Sequence, residues 1–291
     1  MKPAPFEYYA PRSEEEALGN LSDLGYSGKV LAGGQSLIPA MNFRMARPAA
    51  LVDLNKLKSL EYIKPTPEGG LAIGTMTRVR VVEKDETVNR LFPIVRETVK
   101  YIAHAQIRAR GTFGGAAAHA DPAAQIPALS VALNAKFLVK RKGSERWVGN
   151  DEFFTGPFMT VIEPEEMLTE VNLPPLAPRT AGSYKQVSRQ KGGYAQAAAI
   201  SVIGLDDANK VKSARVVLFS VGETPILSSY ASQVMVGNVA TPEMVKDIAA
   251  YAAKNECDPG TDLHGTTEYR RQLVQVLVER SINEALARAG K

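Results

Sequence analysis

Apolar residues recur along the chain at two spacings, and the change from one to the other lays out the elements. Ala17, Leu18, Leu21 and Leu24 fall at helical spacing behind Ser13 at an N-cap position and Glu16 at the capping-box position. That pattern predicts a helix over residues 13 to 24, stopped by Gly25. Lys29-Val30-Leu31 reads as a short strand running into Ala32-Gly33-Gly34-Gln35-Ser36, and Leu51-Val52-Asp53-Leu54 as a buried strand. Between them, Leu37 to Met45 predicts a helical turn or two, interrupted by Pro39 and ended before Pro48. Strands are predicted at Leu60 to Ile63 and Gly70 to Ile73, hinged by Pro65, Pro67 and Gly69-Gly70. From Pro93 to Ile107 the residues Ile94, Val95, Val99 and Ile102 share one helical face, which predicts one amphipathic helix.

Further on, Asp121-Pro122 reads as N-cap and first turn of a helix to about Leu133. Strands follow at Lys136 to Lys140 and Met167 to Leu173, with a basic hairpin around Gly143. Pro174, Pro175 and Pro178 make the clearest linker in the chain. Beyond it, Ser183 to Val187, Ala197 to Ile203 and Ala214 to Val221 read as an antiparallel meander. Thr241-Pro242 caps a helix to about Lys254, and a longer helix from Thr267 to Arg288 sets Tyr269, Leu273 and Leu277 on one side.

Composition narrows the class. With 45% hydrophobic and 23% charged residues the chain is an ordinary globular sequence, and 291 residues suffice for two or three cores. No run reaches the roughly 20 apolar residues that span a bilayer, and Met1 to Phe6 has no signal-type apolar stretch. The expected address is the cytoplasm. Cys257 stands alone, so an internal disulfide or an iron–sulfur site built by this chain is excluded. The +4 net charge is concentrated between Arg78 and Arg110, with eight Lys/Arg against four Asp/Glu. Nucleic-acid surfaces carry a denser basic stripe with interleaved aromatics; a solvated helix face, or next to it the field around an anionic cofactor, explains this one better.

Two glycine turns carry the candidate chemistry. Ala32-Gly33-Gly34-Gln35-Ser36 follows a strand, and Gly111-Thr112-Phe113-Gly114-Gly115-Ala116 precedes Asp121-Pro122. Paired glycines let successive amides turn inward as a nest for an anion and let a ligand approach the backbone. We expect the two turns to meet and grip the two phosphates of one dinucleotide. Neither turn has Rossmann or Walker spacing. His104, His119 and His264 show no metal spacing; His119 reads as a surface or capping residue, with a ligand contact as the alternative. Asp121 reads as a helix cap, or as a partner of a ribityl chain. Lys185 on a strand and Tyr194 after Gly192-Gly193 offer a charge and an aromatic platform, unless they form a plain hairpin turn.

Leu31-Ala-Gly-Gly-Gln-Ser-Leu-Ile-Pro39, Gln106-Ile-Arg-Ala-Arg-Gly-Thr-Phe-Gly-Gly115 and His119-Ala-Asp-Pro-Ala-Ala124, with the Lys185 and Tyr194 region, closely resemble the FAD-binding medium subunit of molybdenum hydroxylases. Carbon monoxide dehydrogenase medium subunits are the nearest type, and xanthine dehydrogenase carries an equivalent flavin domain. The resemblance covers essentially the whole chain. It implies an α+β architecture of the vanillyl-alcohol-oxidase type: FAD-binding subdomains at 1–55 and 56–176, and a smaller α+β C-terminal domain at 177–291. It implies noncovalent FAD, with Ala32, Gly33, Gly34, Gln35 and Ser36 and Thr112, Phe113, Gly114, Gly115 and Ala116 holding the diphosphate largely through amides. Ile102 would pack near the cofactor, Leu168 would touch it through its main chain, and Lys185 would approach the flavin end. Tyr194 would lie against the isoalloxazine, and Asp121 and Gln125 would complete the cofactor site. Departures from the family pattern fall at Ala116, where Asn or Asp is usual, at Gln125, usually acidic, and at Ala109, often Asn.

The resemblance further implies an oxidoreductase subunit without catalytic side chains or metal of its own. A large molybdenum-cofactor subunit and a small subunit with two [2Fe–2S] clusters would complete a dimer of heterotrimers. Electrons would reach this subunit from the clusters and leave to an external acceptor. A self-contained FAD oxidase or reductase of the same fold, and a non-catalytic nucleotide-binding scaffold, remain open at this point.

Overall fold

Strands form where apolar residues alternate or run together, and four sheets result in a computed structural model that describes residues 1–291, one of them only the ribbon of Phe154–Gly156 with Met159–Thr160. The first of the other three has Ala50–Asp53 between Glu7–Tyr9 and Gly28–Leu31, all parallel. Its middle position explains the continuous apolar run Ala50-Leu51-Val52, buried on both faces. The helix Glu14–Leu24 is the crossover that parallel pairing requires. Ser13 Oγ accepts the Glu16 amide at 3.1 Å, and Gly25, at φ 50°, ends the helix. The Glu16 carboxylate reaches one residue further back than a capping box does, to the Arg12 amide at 2.7 Å.

The second sheet is antiparallel in the order Ile63–Pro65, Leu71–Gly74, Met167–Leu173, Lys136–Arg141, Ser144–Gly149. Phe137 and Phe153 stack at 3.7 Å in its core, with Phe154 edge-on to both. The third is the meander Thr180–Ser188, Ala195–Leu205, Val211–Phe219, closed by Ile226–Leu227. Ala198, Ile200 and Val202 of its long strand pack into the same core as the second sheet. Ala197, Ala199, Ile203 and Leu205 face the helices Pro242–Tyr251 and Thr267–Ala289. One strand is thus a wall shared by two cores, which accounts for its nearly unbroken apolar sequence. Its buried Ser201 is satisfied by Ser281 at 2.7 Å. No helix is long and apolar enough to cross a membrane.

Several predicted elements are corrected. Residues Lys58–Leu60 form a 3-10 turn rather than a strand, with the Leu60 and Glu61 amides donating to the Leu57 and Lys58 carbonyls at 3.2 and 3.1 Å, and the strand begins at Ile63. The helix predicted from Pro93 to Ile107 breaks into Pro93–Val99 and Ala105–Arg110, with Ala103 at φ 41° between them. Arg108 stabilises the break by donating to the Ile102 and Ala103 carbonyls at 2.9 and 3.2 Å. Asp121 does not start a helix. It accepts the Ala123 amide at 2.8 Å in a turn, and the helix Gln125–Ala132 starts four residues later, buried on every side. The stretch from Phe113 to His119, read as a loop, is a helix capped by Thr112. In Thr267–Ala289 the buried stripe is Val274, Leu277, Val278, Ser281, Ile282 and Ala285, while Tyr269 faces solvent. Pro242–Tyr251 gives way to a π turn, Ala252–Glu256.

The stacked pair predicts a large cost for truncation. Phe137→Ala is expected to lower unfolding stability by about 3–5 kcal/mol, measured as a shift of the urea midpoint.

Candidate functional site

The parallel strand Gly28–Leu31 delivers the chain into Ala32 to Ser36, and the short helix Leu37–Asn42 carries it away. Gly34 sits at φ 71°, which turns the peptide units of this segment inward. The amides of Ala32, Gly33, Gly34, Gln35 and Ser36 donate to no acceptor in the chain, whereas every carbonyl among them except that of Gln35 is tied down. The Ala32 carbonyl accepts Asn55 Nδ2 at 2.9 Å, and that of Gly33 accepts Gln35 Nε2 at 3.0 Å. Five consecutive amides are thus left as unused donors.

The second glycine segment lies directly against the first. A Cβ on Gly33 would sit 2.6 Å from the Arg110 carbonyl oxygen and 2.7 Å from Gly111 Cα, and one on Gly115 would sit 3.2 Å from Ala32 Cβ. Here the amides are already engaged: Phe113 and Gly114 donate to the Thr77 and Thr75 carbonyls at 2.9 and 3.1 Å. Gly115 donates to Thr112 Oγ1 at 3.0 Å, and Ala116 to the Thr112 carbonyl at 3.1 Å. Of the five amides expected to face a ligand at the second turn, those of Phe113 to Ala116 are thus used within the chain, and that of Thr112 donates to no acceptor. Gly114 is a packing glycine, since its Cβ would lie 2.6 Å from Thr75 Cα, and the Phe113 ring is wholly buried. Beside these segments lies a cleft of about 340 Å³, walled by Ala32 to Gln35, Ile38, Asn42, Asp53, Asn55 and Arg110. A larger cleft of about 570 Å³ along Ser144–Gly149 is remote from the glycine segments. Its Arg146 and Glu166 neutralise each other at 2.7 Å.

Other predicted residues fall into two groups. Ala116 and Ile102 are half-buried, and Leu168 is buried where the pairing of Met167–Leu173 with Lys136–Arg141 shifts register. The Tyr194 ring is 69% exposed on a hairpin locked by Gly192, at φ 79°, whose added Cβ would lie 2.6 Å from the Ala103 carbonyl. Burial of its hydroxyl, and then the Asp121 carboxylate beside it, push the Tyr194 phenol up. Burial pushes the neighbouring His119 down, partly offset by Asp121, and its ring packs on Phe158 at 5.2 Å. Gln125 is buried and donates to Gln186 Oε1 at 3.2 Å, so its amide joins the helix Gln125–Ala132 to the meander.

Lys185 is set apart. Tyr184 and Gln186 face Gln125, and strand alternation points Lys185 the other way, onto Glu284 of the last helix. There the ammonium is neutralised by Glu284. Glu284 also pairs with Arg288, which bonds Glu97 at 2.6 Å and the Gly182 carbonyl at 2.6 Å. Sequence reasoning missed Asn55 as well as Glu97, Glu284 and Arg288, and treated Arg78 only as part of a basic run. No spacing signal marks these residues, because their partners are far away along the chain.

The pattern described as the FAD binding domain in molybdopterin dehydrogenase matches residues 4–176, and that of the CO dehydrogenase flavoprotein C-terminal domain matches 182–285. The chain is 37% identical over 289 residues to the 6-hydroxypseudooxynicotine dehydrogenase complex subunit alpha of Paenarthrobacter nicotinovorans, covering 99% of this chain and 97% of that one. It is 36% identical to the carbon monoxide dehydrogenase medium chain of Hydrogenophaga pseudoflava over the full length of both. Among solved structures, a carbon monoxide dehydrogenase from Hydrogenophaga pseudoflava superposes with a TM-score of 0.95 at 35% identity, over 99% of each chain.

Lys185, then Ser183 and Arg288, hold the Glu284 carboxyl below the usual carboxylate range. A depressed folded pKa contributes stability that is complete above the unfolded value, about 4.3, and is lost as pH falls through the folded value. Glu284→Gln is expected to cost about 1 kcal/mol at pH 7, discounted for a site a third open to solvent, and to flatten the loss of stability below about pH 4. Urea midpoints of both proteins across that range check it.

Proposed function

This chain belongs to the family of FAD-binding flavoproteins of molybdopterin dehydrogenases, of the carbon monoxide dehydrogenase medium-subunit type, and from that we propose that it is the electron-exit subunit of a heteromeric molybdenum hydroxylase. The observation that carries the reading is the row of free amides from Ala32 to Ser36, held in contact with the second glycine segment. Such a row suits the diphosphate of FAD: the donors are fixed before binding, the cleft is of ligand size, and Arg110 adds a positive charge. Ala32, Gly33, Gly34, Gln35 and Ser36 would hold the diphosphate by main-chain hydrogen bonds, with Thr112 to Ala116 as the wall behind it.

Toward the other end, Ile102 and Leu168 would supply apolar contact, and Gln125 and Asp121 polar contact. Tyr194, presented by a hairpin of the C-terminal part, would cover the flavin and limit what reaches it. FAD bound here would supply redox chemistry, accepting electrons from partner iron–sulfur clusters and releasing them to an external acceptor. The chain's own side chains would bind, orient and shield. With Cys257 as its one cysteine and no acidic or histidine cluster fit for a metal, the clusters and molybdenum cofactor would belong to a small and a large partner subunit. A dimer of such heterotrimers is the proposed assembly. Within the chain, 1–55 and 56–176 would form the two FAD-binding parts and 177–291 the C-terminal domain.

Full-length protein is expected to carry flavin absorbance, or to gain it on incubation with FAD, and to co-purify with molybdenum and iron–sulfur subunits; a preparation that stays colourless defeats the proposal. Gly33→Val should lose FAD, because the branched side chain would force Ala32 to Ser36 away from Arg110 and Gly111; undiminished flavin content would argue against this wall. Tyr194→Ala should keep FAD but change reoxidation rates with different acceptors, measured by stopped flow.

A further inference from the structure

Behind the free amides lies a connection that neither glycine segment contains. Asn55 follows the buried strand Ala50–Asp53, and Arg78 precedes the short helix Val79–Lys84. The Asn55 side chain donates to the Ala32 carbonyl at 2.9 Å and accepts from Arg78 Nη2. The other arm of the same guanidinium donates to the Arg110 carbonyl, the atom that a Cβ on Gly33 would strike. The chain of contacts runs Ala32–Asn55–Arg78–Arg110 and joins the two segments from beneath. A peptide unit is planar and trans, so fixing the Ala32 carbonyl on Asn55 turns the Gly33 amide the opposite way.

Arg78 is half-buried and makes no salt bridge. Asp53, the carboxylate beside it, is already engaged by the Asn55 amide and the Tyr8 hydroxyl, while Arg110 adds a second positive charge to the same wall. Burial first, and then Arg110, press the guanidinium below the ordinary arginine range, with Glu61 and Asp53 acting against them. A guanidinium that bonds two neutral oxygens and closes no salt bridge, set behind a row of free donors, is balanced by an anion on the far side of that row.

We propose that Arg78, acting through Asn55, is the positioning residue of the diphosphate site: it locks the two glycine segments together and supplies charge that the bound diphosphate balances. This rests on the FAD reading and deepens it. Arg78 stands behind the backbone, so its effect reaches the ligand through the Ala32 to Ser36 amides and through the field.

The test titrates FAD-depleted full-length protein with FAD, with ADP and with riboflavin, which lacks the diphosphate, and records unfolding midpoints without ligand. Arg78→Met is expected to weaken FAD and ADP by about tenfold or more and to leave riboflavin within about twofold. Arg78→Lys should recover part of the loss by returning the charge without the two-armed reach. Asn55→Ala should weaken FAD, and the double variant should bind little worse than Arg78→Met, because both changes cut one connection. Raising salt should weaken FAD binding by the wild type more steeply than by Arg78→Met. FAD affinity of Arg78→Met within about threefold of the wild type, with or without a lower unfolding midpoint, overturns the proposal, as do fully additive losses or an equal loss of riboflavin. If Arg78→Met does not fold, Arg78→Lys and Asn55→Ala decide it by the same FAD-against-riboflavin comparison. A wild-type protein that takes up no FAD would overturn both this and the function it rests on.

Discussion

Gly33 touches the backbone of Arg110 and Gly111 with no side chain between, and the site depends on that contact. Glycine alone allows it, since any Cβ at Gly33 would fall inside the Arg110 carbonyl. The two segments are nearly eighty residues apart in sequence, so nothing local holds them together. Closing so long a loop costs entropy that burial elsewhere must offset. The strands on either side supply the offset: Gly28–Leu31 pairs with Ala50–Asp53, and the Thr75 and Thr77 carbonyls beyond Leu71–Gly74 take the amides of the second segment.

A division of labour follows. In the second segment the amides of Phe113 to Ala116 are consumed by Thr75, Thr77 and Thr112, which makes Phe113–His119 a rigid buttress. In the first they are left free while the carbonyls of Ala32, Gly33, Gly34 and Ser36 are fixed. An anion meeting the first segment meets donors that need no rearrangement, which is the condition for tight binding by backbone alone.

Farther from the cleft, the meander is braced against the rest of the chain on two levels. Its long strand gives one face to each of two cores. Glu97, Arg288, Glu284 and Lys185 then tie Pro93–Val99, the last helix and the first strand of the meander through partly exposed charges. The apolar faces provide the adhesion, and the close contact of Gly192 with Ala103 carries Tyr194 beside Asp121.

By itself the sequence determined the local elements and the identity of the glycine segments. Ser13, Gly25, Gly143 and Thr241 mark ends and turns because capping and positive φ act within a few residues. The family was legible from the two glycine motifs together, since backbone close approach tolerates few substitutes. Tertiary structure alone decided the rest. Pro93 to Ile107 has one apolar face, yet it breaks at Ala103 because Arg108 and Glu83 stabilise a turn that the pattern does not encode. Gln125–Ala132 starts late because a helix buried on all sides has no amphipathic stripe to mark its first turn. The direction of Lys185, the engaged amides of Phe113 and Gly114, and the Asn55–Arg78 connection all depend on partners far along the chain. Periodicity reports which way a residue faces within its own element; what it meets there is settled only when the elements pack.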